Sequence, residues 1–255
     1  VGGEAAFMAM YQQQPQASDN QVFKAAWIEE CKDRKRDSGD GVRTHKGDPL
    51  VARVLSIDPS PDHFHGVVVA DVLYDKDNFR CVVLESKRVQ AGGLGILTQE
   101  IYRAVELYDI DYFCFEQSTF AKWLYDDPHF QALRQKFRFI KHTTGQNKNT
   151  FDYGVQSMGW DFEDHHISLP YGDADARRNT DTLAQELLTW GAGRTDDIVM
   201  ALWFIKYNYK RFKPIPQSRP VQDYGRPSGA WSYWEDAKRN QPIRDRFNEL
   251  RRTYA

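Results

Sequence analysis

Four acidic residues stand at the ends of apolar segments, where their carboxylates could act together in a functional site. The run 51–58 is apolar and rich in β-branched residues, which predicts a strand that ends on Asp58, where prolines follow. Glu116 ends a second apolar run in the same way. Asp196 and Asp197 stand directly before the apolar stretch 198–205. If these segments meet at one edge of a sheet, their carboxylates form a single cluster.

Such a cluster needs a counter-charge. Each acid alone has an ordinary explanation: Asp58 as a turn residue, Glu116 as a surface acid, and Asp196 and Asp197 as acids in the first turn of a helix. Together, buried carboxylates raise one another's pKa, and divalent cations relieve that repulsion. Mg²⁺ prefers hard oxygen ligands, and two ions about 3.5–4 Å apart suit phosphoryl transfer.

The elements that position these acids follow from apolar periodicity and turn residues. Three strands with short connections predict an antiparallel meander, and the later segments alternate between helix and strand. The predicted class is α/β, with three antiparallel strands followed by parallel strands in one mixed sheet and helices on both faces. The predicted strands are 51–58, 65–73, 79–86, 111–116 and 139–140, with 166–169 a short strand or turn. The predicted helices are 94–108, 120–136, 151–160, 180–190 and a last helix that Thr195 caps and that runs to about 209.

Composition excludes several classes of function. With 34 basic and 36 acidic residues, the net charge of −2 gives no overall attraction to nucleic acid, so a DNA site must come from local clustering. Cys31, Cys81 and Cys114 form no CxxC pair, which disfavours a zinc site or a disulfide framework and favours a reducing compartment. No apolar run approaches the roughly 18–20 residues of a membrane span, and no signal peptide begins the chain.

Three short segments carry a family resemblance: 54–59, 113–116 and 195–202. They resemble the nuclease domain of tailed-bacteriophage terminase large subunits, which has an RNase H-like fold related to Holliday-junction resolvases. The order of predicted elements fits over about 51–209. The stretch 162–170 looks like the family's segment before its penultimate helix, and 7–30 resembles the end of the ATPase domain that precedes the nuclease in those proteins.

The resemblance implies a metal-dependent endonuclease that cuts double-stranded viral DNA during genome packaging in the host cell cytoplasm. Carried over by position, the catalytic metal ligands are Asp58, Glu116 and Asp197, and Asp196 is the second choice for the third acid. The cofactor is two Mg²⁺ or Mn²⁺ ions. Met200 stands where resolvase-like patterns often place a further acid, so a fourth carboxylate is missing there.

Three basic residues are candidates to contact DNA phosphates: Lys87, Lys148 and Arg194. A solvated charge is the default for each. Lys148 is the strongest of the three, because the family commonly has a basic residue in the loop before the next helix.

The predicted organisation has three parts. Residues 1–50 are a connector from a missing N-terminal ATPase domain, 51–210 are the nuclease domain, and 211–255 are a tail with five prolines, Trp231, Tyr233 and Trp234, and ten basic against five acidic residues. No P-loop motif is present, so the packaging motor is not in this sequence. Expected partners are double-stranded DNA, the portal protein, the terminase small subunit and that ATPase domain, with no membrane.

Two alternatives stay open at this point. One is a resolvase-like nuclease that acts on branched DNA. The other is a catalytically inactive module that docks a motor on a portal through the tail; it predicts no metal dependence and no cutting.

Overall fold

A single mixed sheet organises the protein. The computed structural model describes residues 22–41, 44–45, 48–60, 63–75, 78–90, 94–117, 126, 130–131, 137–191 and 195–213. The strands in these ranges are β1 (Lys32–Asp33), β2 (Thr44–His45), β3 (Asp48–Asp58), β4 (Phe64–Asp75), β5 (Asn78–Gln90), β6 (Tyr112–Glu116), β7 (Arg138–His142) and β8 (Ile167–Pro170).

The strand order confirms the predicted fold class. Seven strands run in the order β1-β8-β5-β4-β3-β6-β7, and β2 pairs with β3 off that path. Strands β3, β4 and β5 are the antiparallel meander. Strand β6 is parallel to β3, and β7 is parallel to β6. The first and fourth predicted strands therefore lie side by side in the sheet, as the placement of the acids requires.

Helices cover both faces of this sheet. They are α1 (Ala25–Glu30), α2 (Leu94–Leu107), α3 (Met158–Glu163), α4 (Ala174–Leu188) and α5 (Asp197–Asn208). Residues of α2 pack in one core with alternate strand residues such as Leu55 and Ile57. Residues of α3, α4 and α5 pack on the opposite face with Val54 and its neighbours. Alternate strand residues point to opposite faces, so the apolar strand runs fill both cores.

Helix α5 is buried along nearly its whole length. Its apolar residues surround the helix, as expected for a helix enclosed in a core. The hydroxyl of Ser56 on β3 donates to the carbonyl of Ala201 at 2.7 Å. Near the helix C-terminus, Asn208 Nδ2 lies 3.0 Å from Nδ1 of His142 on β7. These contacts fix the helix across the strands that carry the acids.

Local differences from the predicted elements have physical causes. Helix α4 begins at Ala174, six residues before the predicted start, because Asp173 caps it by accepting from the amide of Ala176 at 2.7 Å. The helix predicted over 151–160 begins only at Met158, after a 3₁₀ turn at Val155–Ser157. The predicted helix 120–136 falls mostly outside the described residues; 126 and 130–131 are helical.

The prediction that Thr195 caps the last helix was wrong. The residue before α5 is Asp196, and it makes no side-chain cap hydrogen bond. The hydroxyl of Thr195 instead accepts from the Arg88 guanidinium at 2.5 Å. The threonine therefore ties the start of α5 to β5.

The segment 22–41 packs on the same sheet. Strand β1 pairs in parallel with β8, and Phe23, Ile28 and Cys31 are buried in the α5-side core. Of the predicted tail, only 211–213 belong to the described residues. None of the described helices is long and apolar enough to span a membrane.

Candidate metal centre

One row of residues crosses five neighbouring strands close to the strand ends. Asp58 on β3 pairs with Gly66 on β4, and Gly66 pairs with Arg88 on β5. On the other side, Ile57 pairs with Phe115, so Glu116 follows beside Asp58, and Glu116 pairs with His142. Paired residues project from the same face of a sheet. This face is the one that α5 covers, since Ser56, two residues before Asp58, bonds to α5.

Asp58 and Glu116 stand side by side in this row. Burial raises the pKa of Asp58 well above its usual range, and the charges of Glu116, Asp197 and Asp196 raise it further. A side-chain hydrogen bond with Glu116 acts in the same direction. The structure therefore brings Asp58 within the electrostatic influence of the other three predicted acids, which come from β6 and the start of α5.

Asp197 reaches the cluster because α5 begins directly against β4. A Cβ atom added at Gly66 would overlap the carbonyl group of Asp197 and lie 2.8 Å from the amide nitrogen of Ile198. Asp197 is 9% exposed, and its Oδ2 has no hydrogen-bond partner among the described residues. Burial and the neighbouring charge of Asp196 raise the pKa of Asp197, while Arg88, its own backbone N–H and His63 act in the opposite direction.

A buried glutamate, Glu186 on α4, fixes the start of α5. It is 1% exposed and accepts from the amides of Ile198 at 2.8 Å and Val199 at 3.0 Å. Its other oxygen accepts from Arg88 Nε at 2.6 Å. Burial raises the pKa of Glu186, and these donors oppose the rise. The Arg88–Glu186 pair thus anchors the helix end that carries Asp196 and Asp197.

The sequence alone does not show that Glu186 pairs with Arg88. A signal was present in α4, where Glu186 lies three residues after Leu183 and directly before Leu187, on the apolar side of an amphipathic helix. An acid among buried leucines needs donors. The sequence did not show that these donors come from β5 and α5, which are separate segments of the chain.

A cleft of about 270 Å³ opens beside the acids. It is lined by Lys148, Asn149, Thr189, Trp190, Gly191, Thr195 and Asp196. Lys148, one of the predicted phosphate contacts, therefore lines the same cleft as Asp196. A strand of DNA in this cleft would lie between a cation and Asp196.

The other two basic candidates are placed differently. Lys87 points to the α2 face of the sheet, where its ammonium group lies 2.7 Å from Glu100 and 3.4 Å from Glu85. Its neighbour Arg88 is the basic residue of β5 on the acid side. Arg194 lies outside the described residues. A DNA contact stays a prediction for all three.

The donor set of the acid cluster fits hard divalent cations. It consists of carboxylate oxygens, one of them the unpartnered, buried Oδ2 of Asp197, and Asp58 lies within the electrostatic influence of the other three acids. Among the described residues, no three acidic, histidine or cysteine side chains already surround one point at ion-binding distance. The four acids are thus neighbours that do not close around one point.

Comparison with known proteins identifies the architecture. The human cytomegalovirus terminase nuclease domain, in a manganese-soaked and inhibitor-bound structure, superposes with a TM-score of 0.50 at 13% identity, over 76% of this chain and 100% of that domain. The chain has the fold of a terminase nuclease domain.

Two further structures match with lower scores. The large terminase of a thermophilic bacteriophage matches with a TM-score of 0.45 at 10% identity, over 72% of this chain and 43% of that protein. Thermus thermophilus RuvC matches with a TM-score of 0.37 at 15% identity, over 64% of this chain and 99% of RuvC. No protein-family model matches the chain, and no curated protein matches its sequence.

The terminase-nuclease fold agrees with the RNase H-like architecture that the sequence predicted. At 13% identity, the similarity establishes the arrangement of strands and helices and assigns no role to any residue. The roles of the acids must be argued from their own chemistry.

Proposed function

We propose that this chain is the nuclease domain of a terminase large subunit, a divalent-metal-dependent endonuclease that cuts double-stranded viral DNA during packaging. The observation that carries the proposal is the convergence of Asp58, Glu116, Asp197 and Asp196 from three separate elements on one partly buried site. A structural role does not explain it, because mutual repulsion among four neighbouring acids opposes folding unless cations bind.

The acids would hold two Mg²⁺ or Mn²⁺ ions. Asp58 ends the strand between the other two acid-bearing elements and is influenced by all three other acids, so it would contact both ions. Glu116 and Asp197 would each complete the ligands of one ion, and Asp196 is the second choice for the place of Asp197. Bound there, the ions supply an activated water and a stabilised leaving oxygen for phosphodiester hydrolysis.

The remaining residues of the site position these ligands and the substrate. Gly66 admits the start of α5, and Glu186 and Arg88 hold it. Lys148 would bind a phosphate of the strand that enters the cleft. Contacts of this kind recognise the DNA backbone and not the bases, so the cutting is expected to show little sequence preference.

Plasmid cleavage tests the proposal. Supercoiled plasmid is incubated with Mn²⁺ or Mg²⁺ and, in parallel, with EDTA, using the wild-type chain, Asp58→Asn and Asp175→Asn. Asp175 is an exposed acid paired with Arg178 and serves as the matched control. We expect metal-dependent nicking and linearisation, lost in Asp58→Asn and retained in Asp175→Asn. Undiminished cutting by a folded Asp58→Asn variant would contradict the proposal.

A substrate panel separates the nuclease classes. A terminase nuclease should cut linear duplex and a four-way junction of the same length at similar rates. Selective cutting of the junction would identify a resolvase-like nuclease instead. No cutting with any metal would favour a docking module.

The same resemblance extends the proposal to the assembly. We propose that the chain works in the host cell cytoplasm beside the ATPase domain of the same protein, the terminase small subunit and the portal protein. Pull-down of purified portal protein by the full chain and by a variant ending at residue 213 would test whether the tail makes that contact.

A further inference from the structure

Four exposed aromatic residues form a surface next to the candidate metal centre. Phe151, Tyr153, Trp160 and Tyr207 are 63%, 50%, 47% and 40% exposed, and we call them the aromatic surface. The two other large apolar residues that stand exposed in the described part of the chain, Ile96 and Leu107, are aliphatic and lie on α2. Exposed ring faces are thus concentrated in one place.

The four rings are organised as two neighbouring pairs. Phe151 and Trp160 make an edge contact with their centroids 5.1 Å apart, and Tyr153 and Tyr207 lie 6.0 Å apart. Phe151 and Tyr153, one from each pair, are two residues apart in the chain. Edge contacts of this kind leave ring faces available to another flat group.

The backbone beneath the rings is tightly packed. The amide of Gly154 donates to the carbonyl of Thr150 at 2.7 Å, and a Cβ at Gly154 would overlap the backbone of Thr150 and Lys148. The indole N–H of Trp203 on α5 donates to the carbonyl of Tyr153 at 3.0 Å. The surface is therefore held by α5 and by the turn that carries Lys148. Binding a ligand should thus cost little conformational entropy in the backbone that presents the rings.

The aromatic surface continues from the cleft of the candidate site. Lys148 and Asn149 line that cleft together with Asp196, and Phe151 follows two residues later. Helix α5 carries Asp197 at its start and Tyr207 ten residues on, a distance of about 15 Å along the helix axis. That length corresponds to roughly four base steps of a DNA strand at about 3.4 Å each.

Basic groups border the aromatic surface on both sides. Lys148 stands on the cleft side. Near Tyr207, Arg211 donates to the carbonyl of the exposed Lys141 at 3.3 Å and to Asn208 Oδ1 at 2.9 Å, which places its charge at the C-terminal end of α5. Three exposed acids also lie near the rings: Asp152 between Phe151 and Tyr153, and Glu163 and Asp164 three and four residues after Trp160. Rings flanked by cations match a ligand that alternates flat bases with phosphates.

We propose that the aromatic surface stacks the unpaired bases of a single DNA strand that extends from the nuclease site. This inference rests on the proposed function for the identity of the ligand. Lys148 would hold a phosphate at the cleft, and the exposed faces of Phe151 and Trp160 would stack on bases beyond it. The surface would thus retain a cut or locally opened strand after cleavage.

Binding without cleavage tests this proposal. Fluorescence anisotropy in EDTA measures the Kd of a labelled oligothymidylate and of an abasic oligonucleotide of the same length. Phe151→Leu and Trp160→Leu keep an apolar side chain and remove the ring. Stacking is worth about 1–3 kcal/mol per base, so each variant should bind oligothymidylate roughly 5- to 150-fold more weakly. Binding of the abasic strand should not change.

The control variant is Leu107→Ala, because Leu107 is 62% exposed on the opposite side of the sheet. It should bind both oligonucleotides as the wild type does. Unchanged oligothymidylate affinity in both ring variants would overturn the proposal. A protein partner would then be the remaining explanation for the exposed rings. An equal loss on the abasic strand would also overturn it, because phosphates or misfolding would then explain the effect; thermal unfolding of each variant separates those two causes.

The two proposals can fail separately. The binding assay contains no metal and needs no cutting, so it measures the contribution of the rings independently of the metal centre. Ring-dependent binding together with cutting that survives Asp58→Asn would reject the metal centre alone. Metal-dependent cutting with ring-independent binding would reject the aromatic surface alone.

Discussion

Gly66 lies against the backbone of Asp197 so closely that no larger residue fits between β4 and the start of α5. The overlap involves the carbonyl group of Asp197, which is main chain and cannot rotate away. Gly66 is also the residue that pairs with Asp58. The same backbone position therefore sets how near Asp197 comes to Asp58.

The substitution Gly66→Ala should displace the start of α5. We expect metal-dependent plasmid cutting to fall about 100-fold, the order of effect that a misplacement of about 1 Å has on a catalytic group. Overpacking should also lower the free energy of unfolding by about 1–3 kcal/mol. Urea titration and initial cutting rates measure the two effects.

The matched control is Gly95→Ala in α2, where a Cβ meets nothing within 4 Å. Alanine there should raise stability by up to about 1 kcal/mol and leave cutting unchanged. Equal cutting by Gly66→Ala and wild type would show that the close approach does not position Asp197.

Glu186 also holds the start of α5, so its substitution tests the position of Asp197 in a second way. The substitution Glu186→Ala leaves Arg88 and the amides of Ile198 and Val199 without their acceptor, and breaking a buried pair of this kind costs about 3–5 kcal/mol. Glu186→Gln keeps one acceptor oxygen and should lose less. Isothermal titration should show that Mn²⁺ binds most tightly to the wild type, less tightly to Glu186→Gln and least tightly to Glu186→Ala. The reason is that the start of α5, which carries Asp197, is progressively less well held.

A surface glutamate provides the comparison for that series. Glu29 pairs with Arg34 and is 49% exposed, so Glu29→Gln should change stability by less than about 1 kcal/mol and leave Mn²⁺ binding unaltered. If Glu186→Ala bound Mn²⁺ as tightly as the wild type, its contacts would be structural only.

Divalent ions should stabilise the folded chain. A ligand that binds only the folded state adds about 2.7 kcal/mol at roughly 100 times its Kd, so Mn²⁺ should raise the midpoint of thermal unfolding. Asp58→Ala should abolish most of that rise, because Asp58 interacts with every other acid of the site. An equal rise in wild type and Asp58→Ala would place the ion elsewhere.

The pH dependence of stability should change sign with metal. Without metal, the pKa of Asp58 lies above its usual 3.8, so the folded state binds this proton more readily than the unfolded state. As pH rises above about 4 and through the raised pKa of Asp58, the free energy of unfolding of the wild type should therefore fall relative to that of Asp58→Asn. With Mn²⁺ bound, the charged carboxylate is favoured, and the wild type should gain stability as pH rises.

Urea titrations of both chains between about pH 4 and 7.5, with EDTA and with Mn²⁺, measure this pH dependence. Asp197 and Glu186 titrate in both chains, so the difference isolates Asp58 and its coupling to them. A difference that stays flat in EDTA would mean that Asp58 has an ordinary pKa in the folded protein.

The strands could be predicted because their apolar runs and flanking turn residues are local signals. Strands β3, β4, β5 and β6 lie where predicted, and Asp58 and Glu116 end theirs as expected. The start of α4 was missed because its first turns, with Arg177 and Arg178, are polar and exposed. The support of Asp197 could not be predicted, because Gly66, Arg88 and Glu186 come together only when three distant segments have folded.

The hydrogen bonds of Glu186 have a consequence for anions. The first amides of a helix are usually donors to phosphate. In α5, Glu186 already accepts from the amides of Ile198 and Val199. A DNA phosphate that reaches the acids finds these donors occupied and meets mainly like charge. Under the proposed function, cations must therefore bind at the acids before a DNA phosphate can approach them.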